Sequence, residues 1–306
     1  MKKMFLLAAA VCAAFTANAE KVLQVDTIFT DDFSSLVENR YTFTSPGDKI
    51  AVNNGVLQMN CPKDKSKAQN IAVAEYGLAE DTKLNEMETD SLVWVFNVRQ
   101  NYNQTMTGFD SNARGYAVML IADGNDLTTA NGYAVVLGGN SKAQCRLAKV
   151  TGGLLGNSHI EDVIAGQEIG TSTGNDYRQW FTIRIVYVPA TKTWKMQETS
   201  VPQQQTGAAF IAPKDVETWT EDGSAEEDSF GATLLKYFGF YHNYNGSQTF
   251  NVFFDNFTLS SYKMVDVMPT AVENTQAEKH CYKTIENGQV ILVRDGVKYS
   301  ILGNAL

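Results

Sequence analysis

The chain has 306 residues, a formal net charge of −9 at pH 7 and a pI near 4.9. Hydrophobic residues make up 44% and charged residues 19%, which is typical of a globular protein rather than a disordered one. The acidic balance provides no attraction to phosphate backbones or anionic lipids, so it argues against nucleic-acid and polybasic membrane roles. Beyond the N-terminus no apolar run is long enough to span a bilayer.

The N-terminal segment predicts export. Lys2 and Lys3 supply a positive start, an apolar stretch runs from Met4 to Thr16, and Ala17-Asn18-Ala19 has the small residues that a signal peptidase recognises. Residues 1–19 are therefore predicted to be a signal peptide. Its removal takes away two lysines and no acid, which changes the net charge from −9 to −11.

Export leaves three cysteines, Cys61, Cys145 and Cys281, an odd number for a compartment that favours disulfides. Their spacing gives no support for a cysteine zinc site. Cys145 lies in a strand-like stretch, where a small buried hydrophobic side chain is a sufficient role. A Cys61–Cys145 disulfide is left open by the sequence.

Strand signals recur from Val22 to Tyr262, and helical periodicity is almost absent. Asn53-Asn54-Gly55 between two short apolar runs predicts a tight hairpin, because Asn and Gly tolerate positive φ. Leu92–Val98 is apolar on both faces, as expected of a strand buried between layers. The tetrapeptide Gly-Tyr-Ala-Val begins at Gly115 and again at Gly132, which predicts two neighbouring antiparallel strands.

Two further hairpins are predicted toward the end of this region. One joins Trp180–Val188 to Thr193–Glu198, and the other joins Leu234–Asn243 to Thr249–Tyr262. The polar and acidic residues 200–229 are predicted to form a long loop. About a dozen short strands in one region predict an all-β, two-sheet antiparallel sandwich.

Four segments resemble the concanavalin A-like jelly roll, the superfamily of laminin-G domains, pentraxins and glucanases. They are Asp31-Asp32-Phe33-Ser34, Asn54-Gly55-Val56-Leu57, Asn131-Gly132-Tyr133 and Phe253–Leu259. The resemblance predicts a jelly-roll domain over residues 20–263. In such folds a concave sheet often holds extended saccharides with aromatic and polar side chains.

Side-chain alternation selects the candidate ligand-binding residues. Trp180 and Arg184 share one strand face, and Tyr237, Tyr241 and Asn243 share another. Both faces mix aromatic and polar groups, unlike the neighbouring faces, which are apolar. The alternative for each of these residues is simple packing.

The same resemblance implies a structural calcium ion that ties the first strand to the last. Asp255 would supply one ligand, and Asp31 or Asp32 would supply the opposite side. Asp123 and Asp126 lie in another oxygen-rich turn, but without a complete calcium loop they are predicted to be turn formers.

The C-terminal part is predicted to comprise a linker, residues 264–279, and a short β hairpin, residues 280–306, with its turn at Asp295-Gly296. The hairpin resembles the last part of the sorting domain found on cargo of the type IX secretion system, although such domains are usually longer. The resemblance implies a partner in the export machinery and a location at the cell surface or in the medium. The alternative is a tail hairpin on a periplasmic protein.

Sequence motifs for catalysis are absent. The glucanase pattern Glu-x-Asp-x-x-Glu begins at Glu88 and at Glu226, but Val93 and Gly231 stand at the completing positions. No nucleophile elbow or phosphate loop is present, and no pair of histidines has metal-ligand spacing. No catalytic residue is predicted, and whether the chain is an enzyme stays open.

Three functions remain. The leading hypothesis is an exported, non-catalytic domain that binds a glycan or glycoprotein at the cell surface or in the envelope. The second is a glycoside hydrolase or lyase whose carboxylates come from separate strands. The third is an adhesive or structural surface protein.

Overall fold

The structure, a computed structural model, describes residues 20–34, 40–44, 49–61, 67–101, 106–139, 144–167, 180–200, 216, 218–245, 251–267, 281–286, 289–294, 296–300 and 306. Strands dominate these residues, and the short 3-10 helices among them are Leu84–Glu86, Asn157–His159 and Pro189–Thr191. The predicted all-β, two-sheet antiparallel jelly-roll sandwich with a small C-terminal β tail is confirmed. The predicted signal peptide lies outside the described residues.

Two large sheets and one small sheet make up the fold. Sheet A contains, in spatial order, β13 (Thr220–Glu226), β12 (Thr193–Ser200), β11 (Phe181–Val188), β6 (Ser91–Gln100), β15 (Asn251–Val267), β4 (Val56–Asn60) and β3 (Ile50–Asn53), and β1 (Glu20–Asp31) also pairs with β15. Sheet B contains β10 (Ile160–Ala165), β9 (Cys145–Val150), β8 (Gly132–Leu137), β7 (Gly115–Ala122), β14 (Tyr237–Asn245), β5 (Lys67–Glu75) and β2 (Thr42–Thr44). Sheet C contains β16 (Cys281–Glu286), β17 (Gln289–Arg294) and β18 (Val297–Ser300).

The chain divides into two compact units, and one of them, Leu23–Lys263, contains the two large sheets except for the first residues of β1 and the last residues of β15. The other unit comprises residues 1–22 and 264–306 and includes sheet C. No helix in the described parts of the chain is both long and apolar enough to cross a bilayer.

The main core lies between sheets A and B and is rich in aromatic rings. Phe238 of β14 stacks on Phe257 of β15 with 4.7 Å between ring centroids, and Phe240 lies 4.9 Å from Phe254. Each of these four side chains is at most 2% exposed. Burial of large apolar rings from both sheets is what holds the layers together.

Sheet B is buried on its outer face as well, under loops. Ala117 and Ala134, on β7 and β8, lie in a second apolar cluster with Phe109, Leu127 and other loop residues. The neighbouring Tyr116 and Tyr133 point instead into the main core. The repeated Gly-Tyr-Ala-Val thus reflects one packing requirement, a large ring toward the sandwich and a small side chain toward the loops.

Local turn predictions hold. Asn54 and Gly55 have φ values of 53° and 75° and connect the β3–β4 hairpin, whose register pairs Asn53 with Val56. Strands β7 and β8 pair antiparallel as expected. In the turn between them, Asp123 accepts hydrogen bonds from the backbone and side-chain nitrogens of Asn131, which is a turn-forming role.

One predicted hairpin is wrong. Strands β14 and β15 do not pair with each other, because β14 lies in sheet B between β5 and β7, while β15 lies in sheet A. Both strands carry apolar residues at alternate positions, and those faces meet across the core instead of joining edge to edge.

Two other predictions are corrected in their extent. The predicted loop over residues 200–229 contains a strand, β13, which pairs with β12. The C-terminal hairpin is present as β17 and β18, but β16 adds a third strand, and β15 continues to Val267 inside the predicted linker. Cys61 and Cys145 are both buried and form no disulfide with each other.

Candidate functional site

Two of the predicted ligand-binding residues lie under the loops that cover sheet B. Tyr241 is completely buried, with its ring 5.9 Å from Phe109, and its hydroxyl has no hydrogen-bond partner among the described residues. Burial raises the pKa of this phenol. The side-chain amide of Asn243 donates to the backbone oxygens of Gly108 and Ala113, each at 3.1 Å. In the structure both side chains are buried under a loop, which Asn243 holds through its amide.

Trp180 and Arg184 lie on the outer face of sheet A, the side that alternation predicted. Trp180 is only 3% exposed and packs with Val56 and Phe253. Arg184 is half-buried and donates from Nη1 to Oε1 of Gln197, its cross-strand neighbour, at 3.0 Å. A cross-strand amide oxygen is therefore a partner of this guanidinium.

A small polar pocket of about 180 Å³ opens on the same outer face. Asn97 donates to Oγ1 of Thr182 at 2.6 Å and accepts from the side chain of Asn256 at 2.8 Å. Asn256 has a φ of 50° at an irregularity where β15 changes register against β6, and this turns its amide toward Asn97. The pocket is rich in amides and hydroxyls, but the bonds among its own side chains already use several of them.

Tyr237 belongs to a larger groove of about 680 Å³ between β1, β2, β5 and β14. Its lining includes two runs of consecutive residues, Thr27–Thr30 and Val73–Tyr76. Because successive side chains of a strand point to opposite faces, a run of consecutive residues means that strand edges face the groove. Such edges present backbone polar groups as well as side chains.

Fixed charged groups border this groove. Arg40 donates to Oδ2 of Asp31 at 3.1 Å and to the Thr30 carbonyl oxygen at 2.8 Å, and its guanidinium lies 4.2 Å from the ring centroid of Phe29. Across the groove, the Lys236 ammonium lies 5.3 Å from the ring centroid of Tyr237 and 3.9 Å from Oε1 of Glu75. The accessible aromatic ring of Tyr237 is thus accompanied by cations and a carboxylate.

Two of the three aspartates proposed as calcium ligands, Asp31 and Asp32, accept hydrogen bonds from neighbouring groups. Asp31 is 6% exposed, and its oxygens accept from the Phe33 amide, from Arg40 and from the hydroxyl of Tyr41. Asp32 accepts from the Ser34 amide. Among the described residues, no group of three or more His, Cys, Asp or Glu side chains could hold a metal ion. The aspartates instead stabilise local turns and an internal ion pair.

The histidines offer no general base in the described structure. His242 is completely buried, its Nδ1 lies 3.3 Å from the side-chain nitrogen of Asn70, and burial lowers its pKa to about 3. His159 forms turn contacts with the Gly152 and Gly153 carbonyl oxygens. His280 lies outside the described residues.

Sequence reasoning missed a buried pair of carboxyl groups. Glu198 follows Trp194 and Met196 on the inward face of β12, and this alternation was a signal that it points into the sandwich. Burial, with the charge of Asp222 adding to it, raises the pKa of Glu198 to about 8, and burial raises that of Asp222 to about 6. Asp222 lay in the predicted loop, so its position could not be assigned from the sequence.

Comparisons with known proteins end at the fold. No protein-family model matches the chain, and no curated protein matches it significantly. Peanut lectin, solved with a nine-residue peptide, is 13% identical, with 81% of this chain and 100% of that chain covered and a TM-score of 0.46. Lectin II from Ulex europaeus is 13% identical over 77% and 97% of the two chains, with a TM-score of 0.48.

Arcelin-5, a lectin-like defence protein from Phaseolus vulgaris, is 10% identical over 79% of this chain and 99% of that chain, with a TM-score of 0.45. Similarity at this level of identity and TM-score concerns the fold alone and carries no argument about ligand or activity.

Proposed function

We propose that the chain is an exported, non-catalytic domain that binds a carbohydrate or the glycan of a glycoprotein in the groove beside Tyr237. The observation that carries this proposal is the combination of groove size and lining. A volume of about 680 Å³ is in the range of small-molecule sites, and an accessible ring stands there among polar groups.

The chemistry of the lining suits a sugar ring. The apolar face of a pyranose stacks on an aromatic side chain, and Tyr237 is half-buried, which leaves ring surface for such a contact. Arg40 can donate to sugar hydroxyls, and Glu75 can accept from them. Because Arg40 is already held by Asp31 and Thr30, little side-chain entropy is lost on binding.

The groove supports binding better than hydrolysis. Glycosidases with two catalytic carboxyl groups place them about 5 to 10 Å apart across the scissile bond. Among the described residues that line the groove, Glu75 is the only carboxylate. A hydrolase would therefore need a second acid from elsewhere.

Export is part of the proposal and rests on the N-terminal sequence pattern. A signal peptide at residues 1–19 would deliver the chain across the inner membrane. If the C-terminal strands act as a type IX sorting signal, the export machinery is a partner and the protein reaches the surface or the medium. Otherwise it stays in the periplasm.

A glycan array probed with the full mature chain tests the binding. A saccharide that binds is then titrated by calorimetry against the wild type, Tyr237→Ala and Tyr262→Ala. Tyr262 is a half-buried ring on β15 that does not line the groove, so it is the matched control. We expect Tyr237→Ala to weaken binding by about tenfold, since one ring contact contributes about 1 kcal/mol, and Tyr262→Ala to bind normally.

Equal affinity of the wild type and a folded Tyr237→Ala variant would rule out this groove. Cleavage of the bound saccharide would replace the non-catalytic proposal by a hydrolase or lyase. An array without any specific binding would favour a protein partner and an adhesive or structural role.

A further inference from the structure

A pair of acidic side chains is enclosed where the edges of the two large sheets meet. Strand β13 ends sheet A, β10 ends sheet B, and the two strands pack beside each other. Glu198 is 6% exposed, and its Oε1 accepts from the backbone amide of Gln167 at 2.9 Å. Among the described residues, its Oε2 and both carboxyl oxygens of Asp222 are buried and have no hydrogen-bond partner by distance and angle, although the Gln167 amide lies near enough to Asp222 to favour its charged form.

A β-bulge on β13 brings Asp222 close enough to Glu198 for the two charges to interact. On β12, Met196 pairs with Gly223 and the next residue, Gln197, pairs with Glu221, so Asp222 is the extra residue of β13. An extra residue breaks the alternation of side chains and re-aims the one at the bulge. The site also leaves no room for a larger residue at Gly166, where a Cβ atom would lie 2.9 Å from Oε2 of Glu198.

No described cation compensates this pair. The titratable group that faces it from β9 is the buried Cys145 thiol, whose pKa is raised by burial and by the two acids. Arg146, next on β9, is bound to Asp162 of β10 and to the Gly138 carbonyl oxygen. Glu221, beside the bulge, is exposed. Three oxygens without donors therefore need protons from another source.

We propose that Glu198 and Asp222 form a proton-sharing latch, which fastens the edge strand β13 and the chain at Gly166–Gln167 to the sandwich. Loss of the shared proton weakens this attachment. A protonated carboxyl group can donate to its neighbour, which satisfies oxygens that otherwise have no donor. Two buried carboxylates without a donor would repel each other and would have to reach water.

The pH range follows from the direction of the shifts. The pKa values of about 8 for Glu198 and about 6 for Asp222 exceed the ordinary values of 4.5 and 3.8, so the folded state holds protons more tightly than the open state. Stability from the pair is complete below pH 4 and is lost as the pH rises through 6 to 8. Strand β13 responds first because it pairs with only one strand, β12, among the described residues.

Hydrogen exchange of the full chain tests the latch locally. Intrinsic amide exchange accelerates tenfold per pH unit, and an opening that releases one proton adds a further tenfold per unit between about pH 5 and 8. We expect this extra dependence in the amides of residues 220–226 and 160–167. Glu198→Gln and Asp222→Asn should abolish it, while Glu221→Gln, on the exposed side of the same strand, should keep it.

Thermal melting is the second measurement. Between pH 5 and pH 8.5 the melting temperature of the wild type should fall by about 5 °C or more beyond any fall seen for Glu198→Gln. If Glu198→Gln does not fold, the melting of Asp222→Asn and the pH dependence of hydrogen exchange in the wild type still test the proposal. The proposal is overturned if exchange in residues 220–226 shows only the intrinsic pH dependence. It is also overturned if calcium or magnesium restores the melting temperature at pH 8.5 and EDTA removes the effect, because a cation would then compensate the acids.

Discussion

Two buried asparagines inside this sandwich, Asn70 and Asn243, are tolerated because each donates to a specific partner. Asn70 of β5 donates to the Asn60 carbonyl oxygen at 2.8 Å and contacts His242 of β14. Asn243, the next residue of β14, donates to carbonyl oxygens of the covering loop. A buried polar group that is hydrogen-bonded costs little, whereas one that becomes charged without a counter-ion costs much.

His242 should therefore make the protein sensitive to acid. Its pKa is lowered to about 3 by burial, from an ordinary value of 6.5, so it stabilises the folded state fully above pH 6.5 and loses that effect as the pH falls toward 3. We expect His242→Gln, which stays neutral, to lose about 2 kcal/mol less stability than the wild type between pH 7 and pH 4.5. Urea denaturation at the two pH values measures this difference.

His159→Gln, the same substitution at a half-buried turn residue, provides the matched control. Other titrating groups, such as Glu198, whose effect on stability has the opposite pH dependence, are present in all three proteins, so their contributions cancel in the comparison. An acid sensitivity of His242→Gln equal to that of the wild type would show that the pKa of His242 is the same in the folded and the unfolded chain.

Among the elements, β15 depends on an uncommon backbone conformation. Asn256 adopts a φ of 50° where β15 changes register against β6, and its side chain donates to Asn97. Asn and Gly adopt this conformation more readily than other residues. Before this turn β15 pairs with β4, and the same strand also pairs with β1.

Replacement of Asn256 separates backbone strain from the hydrogen bond. Asn256→Gly keeps the conformation and loses the side-chain bond, so we expect a loss of about 1 kcal/mol. Asn256→Ala loses the bond and also forces the left-handed region on a residue with a Cβ atom, so it should lose about 2 kcal/mol. Chemical denaturation of both variants gives the comparison. An alanine variant as stable as the glycine variant would show that the left-handed backbone conformation at this position has no free-energy cost for a residue with a Cβ atom.

The sequence could predict those elements whose cause is local. The β3–β4 turn needs only Asn54 and Gly55, and the buried strand β6 needs only its own apolar run. Pairing of β14 and β15 is decided instead by which sheet each apolar face joins, and this is a long-range property. Strand β13 resembled a loop because edge strands carry acidic residues such as Glu221 and Glu226, which also discourage aggregation.

The candidate site was predictable to a similar degree. Alternation assigned Trp180 and Arg184 to the outer face of sheet A. It could not show that Tyr241 and Asn243 are covered, because the covering residues come from loops distant in the chain. Tyr237 was selected from the same strand face, but its groove is formed by β1 and β5 edges that no local pattern reveals.

At the scale of the molecule, the loops form an extra layer on sheet B. Gly153 shows how closely they pack, since its φ is 89° and a Cβ atom there would lie 2.0 Å from the Thr128 carbonyl oxygen. Leu127 and Leu154, on these loops, are completely buried in the second cluster. The sandwich thus encloses two apolar cores of its own, a basis for folding without further strands.

Removal of the C-terminal strands tests whether the sandwich is such an independent unit. Among the described residues, β16, β17 and β18 pair only with one another. A mature chain that ends at Val267 should therefore melt in one transition, within about 2 °C of the full chain, because it keeps every strand of both large sheets. Differential scanning calorimetry of the two proteins measures the difference.

A chain shortened further, to Ser260, is the matched control for the length of the last sandwich strand. It loses the pairs of Ser261 with Leu92 and of Tyr262 with Ser91, and also the hydrogen bond from Thr89 Oγ1 to the Tyr262 carbonyl oxygen. We expect its melting temperature to fall by about 4 °C or more, since lost backbone pairing at the end of a central strand exposes polar and apolar groups together. If the chain ending at Val267 melts as low as this control, sheet C contributes to the stability of the sandwich, and the predicted domain boundary is wrong.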